Sequence, residues 1–131
     1  MEEKHNLSTK QRPEGARPLD AALIPIDINK FSKQIKSEEA YERNGKNAIT
    51  VFKSEKVTIT LIALKADENF HPGKEENVVI MSLQVISGQL LFESLGNEIN
   101  LNDGQFLTLH QELSFKATAK TDILCLLTMI M

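Results

Sequence analysis

Val79-Ile-Met-Ser-Leu-Gln-Val-Ile-Ser-Gly-Gln-Leu-Leu-Phe92 is the stretch that decides the fold. Met81, Leu83 and Val85 alternate with Ser82 and Gln84, which is the period of a strand with one buried face. Ser87-Gly88 interrupts the run as a turn, and apolar residues resume at Leu90. The gap is too short for a crossover helix, so the two runs pair antiparallel. The same period appears upstream, where Val57, Ile59, Leu61 and Ala63 alternate with Thr58 and Thr60. Downstream, Gly96-Asn97 and Asp103-Gly104 mark further turns, and a final strand is expected from Ile123 to Ile130. About eight strands at this spacing make a sandwich or a closed barrel.

Ahead of Ala48 the period is helical. Asp27 has the chemistry of an N-cap, Ile28, Phe31 and Ile35 follow at helical spacing, and Ser37 with Glu38 and Glu39 reads as a second helix start. Asn44-Gly45 is the stop signal, so a helical segment is expected over about 28–44. Ala22-Leu-Ile-Pro-Ile26 reads as an extended lead-in that Pro25 confines to a sheet edge. Residues 1–17 carry only Met1, Leu7 and Ala16 as apolar side chains and are expected to be a mobile tail, leaving 18–131 as one domain.

At 131 residues the chain is of single-domain length, and folding buries roughly two-thirds of its unfolded surface. A net charge of -3 provides no basic footprint for nucleic acid. No run of about 18 apolar residues and no apolar leader occurs, so the expectation is a cytoplasmic protein with neither nucleic-acid nor membrane partners. The lone Cys125 has no internal disulfide partner and sits in an apolar run, as a buried structural thiol does. No G-x-S-x-G elbow, Cys/His pair or phosphate-cradling loop is present, and no catalytic residue is nominated.

The landmarks resemble the cupin superfamily, in particular small single-domain bacterial RmlC-like cupins. The family's two signatures are G-x5-H-x-H-x(3,4)-E-x6-G and G-x5-P-x-G-x2-H-x3-N. The stretch ending at Gly88 is similar to the end of the first, and Asn102-Asp-Gly-Gln-Phe-Leu-Thr-Leu109 to the opening of the second. The lead-in Arg17-Pro-Leu-Asp-Ala21 and Asn47-Ala-Ile-Thr-Val-Phe-Lys-Ser54 extend the likeness over about residues 17–131. The resemblance implies an all-β fold, a cupin-type double-stranded β-helix or jelly-roll barrel with a short N-terminal helical segment. Homodimers are common in the family, and one is expected here.

The same resemblance implies where metal ligands would stand. Counting back from Gly88, the glutamate ligand falls on Met81 and the paired histidines on Glu75 and Asn77, or one residue earlier with the longer spacing. Counting forward from Gly104, the proline falls on His110, the glycine on Glu112, the last histidine on Phe115 and the asparagine on Ala119. Thioether and phenyl groups are not competent ligands for a hard or borderline divalent ion. Strand pleating puts Asn77, Val79, Met81, Leu83 and Val85 on one face, and Leu113, Phe115, Ala117 and Ala119 on another. If both faces point inward, the interior is a hydrophobic plug or a pocket for an apolar or amphipathic ligand, with Asn77, Met81, Leu83, His110 and Phe115 as lining candidates.

The expectation is therefore a non-catalytic small-molecule-binding or accessory module without cofactor or metal. The alternative is a metal-dependent enzyme of oxygenase or isomerase type with displaced ligands His71, Glu75 and His110, to which Glu76 is a neighbour. Enzyme activity is the less favoured reading.

Overall fold

The apolar phase of each long strand turns toward a common interior, and that alone accounts for most of the architecture. The computed structural model describes residues 4–7, 17–71, 77–110 and 114–131. In chain order the strands and helices are β1 (Lys4–Asn6), β2 (Arg17–Asp20), α1 (Ile28–Ser37), α2 (Glu39–Asn44), β3 (Lys46–Lys53), β4 (Val57–Leu64), β5 (Asn69–Phe70), β6 (Ile80–Ser87), β7 (Leu90–Ser94), β8 (Asn97–Leu101), β9 (Phe106–His110), β10 (Lys116–Ala119) and β11 (Ile123–Ile130). A five-stranded sheet runs β3-β4-β11-β6-β9 and a four-stranded sheet runs β5-β10-β7-β8, while β1 and β2 form a ribbon. Every pairing is antiparallel, which gives the all-β jelly roll with two N-terminal helices.

Between the sheets lies one cluster. Ile62, Leu64, Met81, Leu83, Val85, Leu109, Ile123, Cys125 and Leu127 come from the five-stranded wall, and Leu90, Phe92, Leu101, Ala117 and Ala119 from the other. Alternation fixes this assignment, because a shift of one residue would move the whole set to the outside.

Outward positions of the five-stranded sheet form rows that follow from the strand register. Val57, Ile130, Ile80 and His110 make one row, Ile59, Thr128, Ser82 and Thr108 the next, and Leu61, Leu126, Gln84 and Phe106 a third. Helices cover one end of this surface. Ile35 and Tyr41 pack on Ile49, Val51, Leu61, Ala63 and Leu124. Burial holds the Tyr41 phenol above its ordinary pKa, and the Asp122 and Glu42 carboxylates push it the same way.

The helix boundaries obey local chemistry. Asp27 Oδ1 accepts from the Lys30 amide at 3.2 Å and caps α1. Gly45, at φ +71°, ends α2 and donates to the Tyr41 carbonyl at 3.0 Å. The second helix starts one residue later than the Ser37 signal. Ser37 closes α1 and donates to the Gln34 carbonyl at 2.8 Å, and Glu38 stands at the cap position. The Glu38 carboxylate accepts from Asn47 Nδ2 at 2.8 Å and Gln34 Nε2 at 3.1 Å, while Asn47 Nδ2 also reaches the Ile35 carbonyl at 2.9 Å. One amide thus clips both helices to β3.

Three expectations need correction. The lead-in Ala22–Ile26 is not a strand; β2 ends before it at Asp20, and it is Pro18, on a two-stranded ribbon whose missing N–H need not be paired, that occupies an edge. Lys4–Asn6, inside the segment expected to be a tail, is a strand paired with Arg17–Asp20. The inward face of β6 does not continue back through Val79 to Asn77. Val78 is buried while Val79 is 53% exposed, because the strand begins at Ile80 and a period of two does not apply before it.

The turns are where expected. Gly88 is at φ +102°, and a Cβ there would lie 2.5 Å from the Asp122 carbonyl oxygen and 2.7 Å from Ile123 Cγ2, so only glycine fits. Its amide donates to Asp103 Oδ1 at 2.6 Å, joining the β6–β7 turn to the β8–β9 turn.

Candidate functional site: the barrel interior and its rim

Met81, Leu83 and Phe115 stand together in the interior cluster, with Phe115 only 6% exposed. Phe115 immediately precedes β10, and the alternation that buries Ala117 and Ala119 also turns its ring inward. The ring is tilted 30° against Phe92 with centroids 4.9 Å apart, and meets Phe70 edge-on at 6.0 Å. Such pairs add about 0.5–1.5 kcal/mol beyond the area they bury. Cys125 opens into the same cluster from β11, where burial pushes its thiol up to about 12. At neutral pH it is a small apolar core group, not a nucleophile.

Of the other candidates only His71 comes near one of these three, lining a rim cavity with Phe115. His110 belongs to the outward phase of β9, opposite Ile80, with Leu109 as its inward neighbour; it lies on the far side of the wall from the interior. Asn77 is exposed ahead of β6. His71 is exposed just after β5, and Glu75 and Glu76 lie outside the described residues, as do Glu112 and Leu113. Among the described residues no three His, Cys, Asp or Glu side chains are grouped to hold a metal ion.

A shallow cavity of about 600 Å³ lies at the rim, lined among others by His71, Glu93, Asn97, Glu98, Lys116 and Phe115. Of the five lining candidates only Phe115 touches it. A second, smaller groove of about 380 Å³ runs outside the barrel between the 17–27 segment and α1. Its walls include Leu23, Ile24 and Phe31, and Arg17 lies over the Phe31 ring at 5.4 Å while donating to the Thr50 carbonyl. Sequence reading missed this groove, because Arg17 and Phe31 come together only through the path of the unpaired lead-in.

With this geometry in view, comparison with known proteins places the architecture. No protein-family model matches the sequence, and no curated protein matches it. Solved structures do. A cupin superfamily protein from Desulfitobacterium hafniense aligns with TM-score 0.61 and 16% identity over 67% of this chain and 79% of that one. A cupin-2 domain containing protein from Shewanella frigidimarina aligns with TM-score 0.63 and 12% identity over 81% and 94%. Salicylate 1,2-dioxygenase from Pseudoaminobacter salicylatoxidans aligns with TM-score 0.67 and 15% identity over 94% of this chain, which spans 35% of the enzyme. The chain has the cupin fold.

That fold often carries a metal in its barrel, so the donor set can be tested against one. Among the described residues, the positions to which the sequence resemblance assigns ligands present a buried thioether at Met81, a buried phenyl at Phe115 and the exposed Asn77. An ion among such groups would lose its water and gain no compensating ligands, which costs several kcal/mol or more. These residues do not fit a divalent cation. Among the described residues, no helix is long and apolar enough to cross a membrane.

Proposed function

We propose that this chain is a non-catalytic cupin-fold module in which the barrel interior serves as core and the outer surface carries the function. The observation behind this reading is Phe115. The sequence resemblance assigns its position to a histidine ligand, and its ring is packed between Phe92 and Phe70. Met81 and Leu83 extend the same packing, at 5% and 0% exposure. Side chains used in this way stabilise the fold and contribute nothing to ligation. A cytoplasmic setting suits the lone buried thiol.

The test is metal content, measured by plasma mass spectrometry on untagged protein after separate incubations with iron, manganese, nickel and zinc. Less than about 0.1 equivalent of each is expected, since the described residues group no competent ligand set. Near one equivalent, lost on His71→Ala, Glu75→Ala or His110→Ala, would overturn the proposal in favour of an enzyme with displaced ligands.

A further inference from the structure

The groove between the 17–27 segment and α1 has an apolar wall and a charged one. Asp27, Lys30, Phe31 and Gln34 recur at intervals of three, four and seven, which puts them along one side of α1 and its cap, and all four line the groove. Leu23 and Ile24 face them from the lead-in, which forms no strand. Pro18 ahead of these two and Pro25 after them fix their own φ angles and stiffen that wall. A single exposed leucine is ordinary, but Leu23, 87% exposed, stands with Ile24, Pro25 and Phe31 around one concavity. Its volume of about 380 Å³ is within the range of roughly 300–1,000 Å³ that small-molecule sites occupy.

Charge is distributed unevenly around it. The helix holds Lys30, Lys33 and Lys36 and no acidic residue, in a chain of net charge -3. Arg17 and Lys30 line the groove as cations, and Asp27 is the one acid among its lining residues. Asp27 is already engaged as the helix cap, accepting from the Lys30 amide. The Phe31 ring and the Thr50 carbonyl hold the Arg17 guanidinium in place before any ligand arrives, so little further ordering is needed there. Among the described residues the Lys30 ammonium has no ion-pair partner.

We propose that this groove binds a monocarboxylate with an apolar body, the head toward Arg17 and Lys30 and the body along Leu23, Ile24 and Phe31. Two cations against one carboxylate leave a single positive charge, which a monoanionic head neutralises. A dianionic phosphate would place surplus negative charge beside Asp27, and a cationic head would meet two like charges. The apolar body takes Leu23 and the Phe31 ring out of water. The rim cavity has the opposite balance, with Glu93 and Glu98 against Lys116, and does not suit an anion. This inference rests on the reading that the outer surface carries the function, and it adds the site and the class of ligand.

Calorimetric titration of the full chain with octanoate below its micellar concentration tests it, with 1-octanol as the uncharged counterpart. Octanoate should bind saturably with a Kd below about 1 mM, and octanol about fivefold or more weakly than that. Lys30→Gln, on the exposed side of the helix, should weaken octanoate about threefold and leave octanol unchanged, while Lys30→Arg should retain binding. Leu23→Ser should weaken both ligands, and Glu93→Gln at the rim should change neither. A nuclear magnetic resonance titration needs no variant: amide shifts should move first in residues 21–27 and 30–34. No saturable binding, equal affinity for octanol, indifference to both Lys30→Gln and Leu23→Ser, or shifts confined to the barrel strands would overturn the proposal. Metal content read on the same samples separates the two ideas: a metal-free chain that ignores octanoate removes only the groove site, and a metal-loaded chain that binds it in the groove removes only the non-catalytic barrel.

Discussion

The outer surface of the five-stranded sheet has two halves that differ in what lies over them. Over β3, β4 and the start of β11, the helices bury Leu61, Ala63 and Leu124 under Ile35 and Tyr41. Over β6, β9 and the end of β11, Phe106, Ile80 and Ile130 remain open. The strands themselves announce the difference. Leu61-Ile-Ala-Leu64 and Ile123-Leu-Cys125 are continuous apolar runs buried on both sides, whereas Ile80–Ser87 alternates as a strand with one face toward water should. A covered sheet is thus recognised by the loss of alternation, and the bare half stands out because its polar phase is hydroxyl and amide where charge would be usual.

The contrast can be pressed from the interior outward. Phe115→Ala, which opens the barrel cluster, should cost about 3–5 kcal/mol by urea denaturation; a loss below about 1 kcal/mol would mean that the ring lines an open pocket. Under the helical cover, Ile35→Ala should cost about 2–4 kcal/mol, and a negligible change would show that the helices rest on the sheet without stabilising it.

Cys125 probes how tightly the filled side is shut. Its folded pKa is raised above the unfolded value, so its contribution to stability is complete below about pH 9 and disappears as the pH climbs toward about 12. Denaturation midpoints should therefore fall across that window in the wild type, and less in Cys125→Ala. At pH 8 a thiol reagent should label the native chain only as fast as it opens. The smallest effect belongs to the bare half: Phe106→Ser, in dilute protein, should change stability by less than about 0.5 kcal/mol, and a larger loss would mean that the exposed ring is part of the monomer's core.

How much of this was readable beforehand varies with the locality of the signal. Asp27, Gly45, Gly88, Gly96 and Gly104 are where turn and cap chemistry put them, because each answers to its own backbone angles and nearest neighbours. The final strand has its expected limits, Ile123–Ile130, set by an uninterrupted apolar run and the turn before it. Met81, Leu83 and Phe115 follow from period alone once the inward face is known. Asn77 and His110 do not. For the first, the period of two does not reach back past the start of β6, and for the second the strand phase points outward a position that the family resemblance makes a lining candidate. The β1–β2 ribbon gave no periodic signal at all, since its pairing joins short polar segments far apart in the chain.

The place of β11 has a consequence for how the protein is made. It lies between β4 and β6, the two strands whose edges it seals. On the ribosome, therefore, the β3–β4 hairpin with its helices and the β6–β9 pair emerge as separate pieces with open edges, and neither can close on the other until residues 123–130 have been synthesised. At about 5–20 residues per second the interval between β4 and β11 is several seconds, during which the nascent chain exposes apolar strand edges and depends on whatever shields them in the cell.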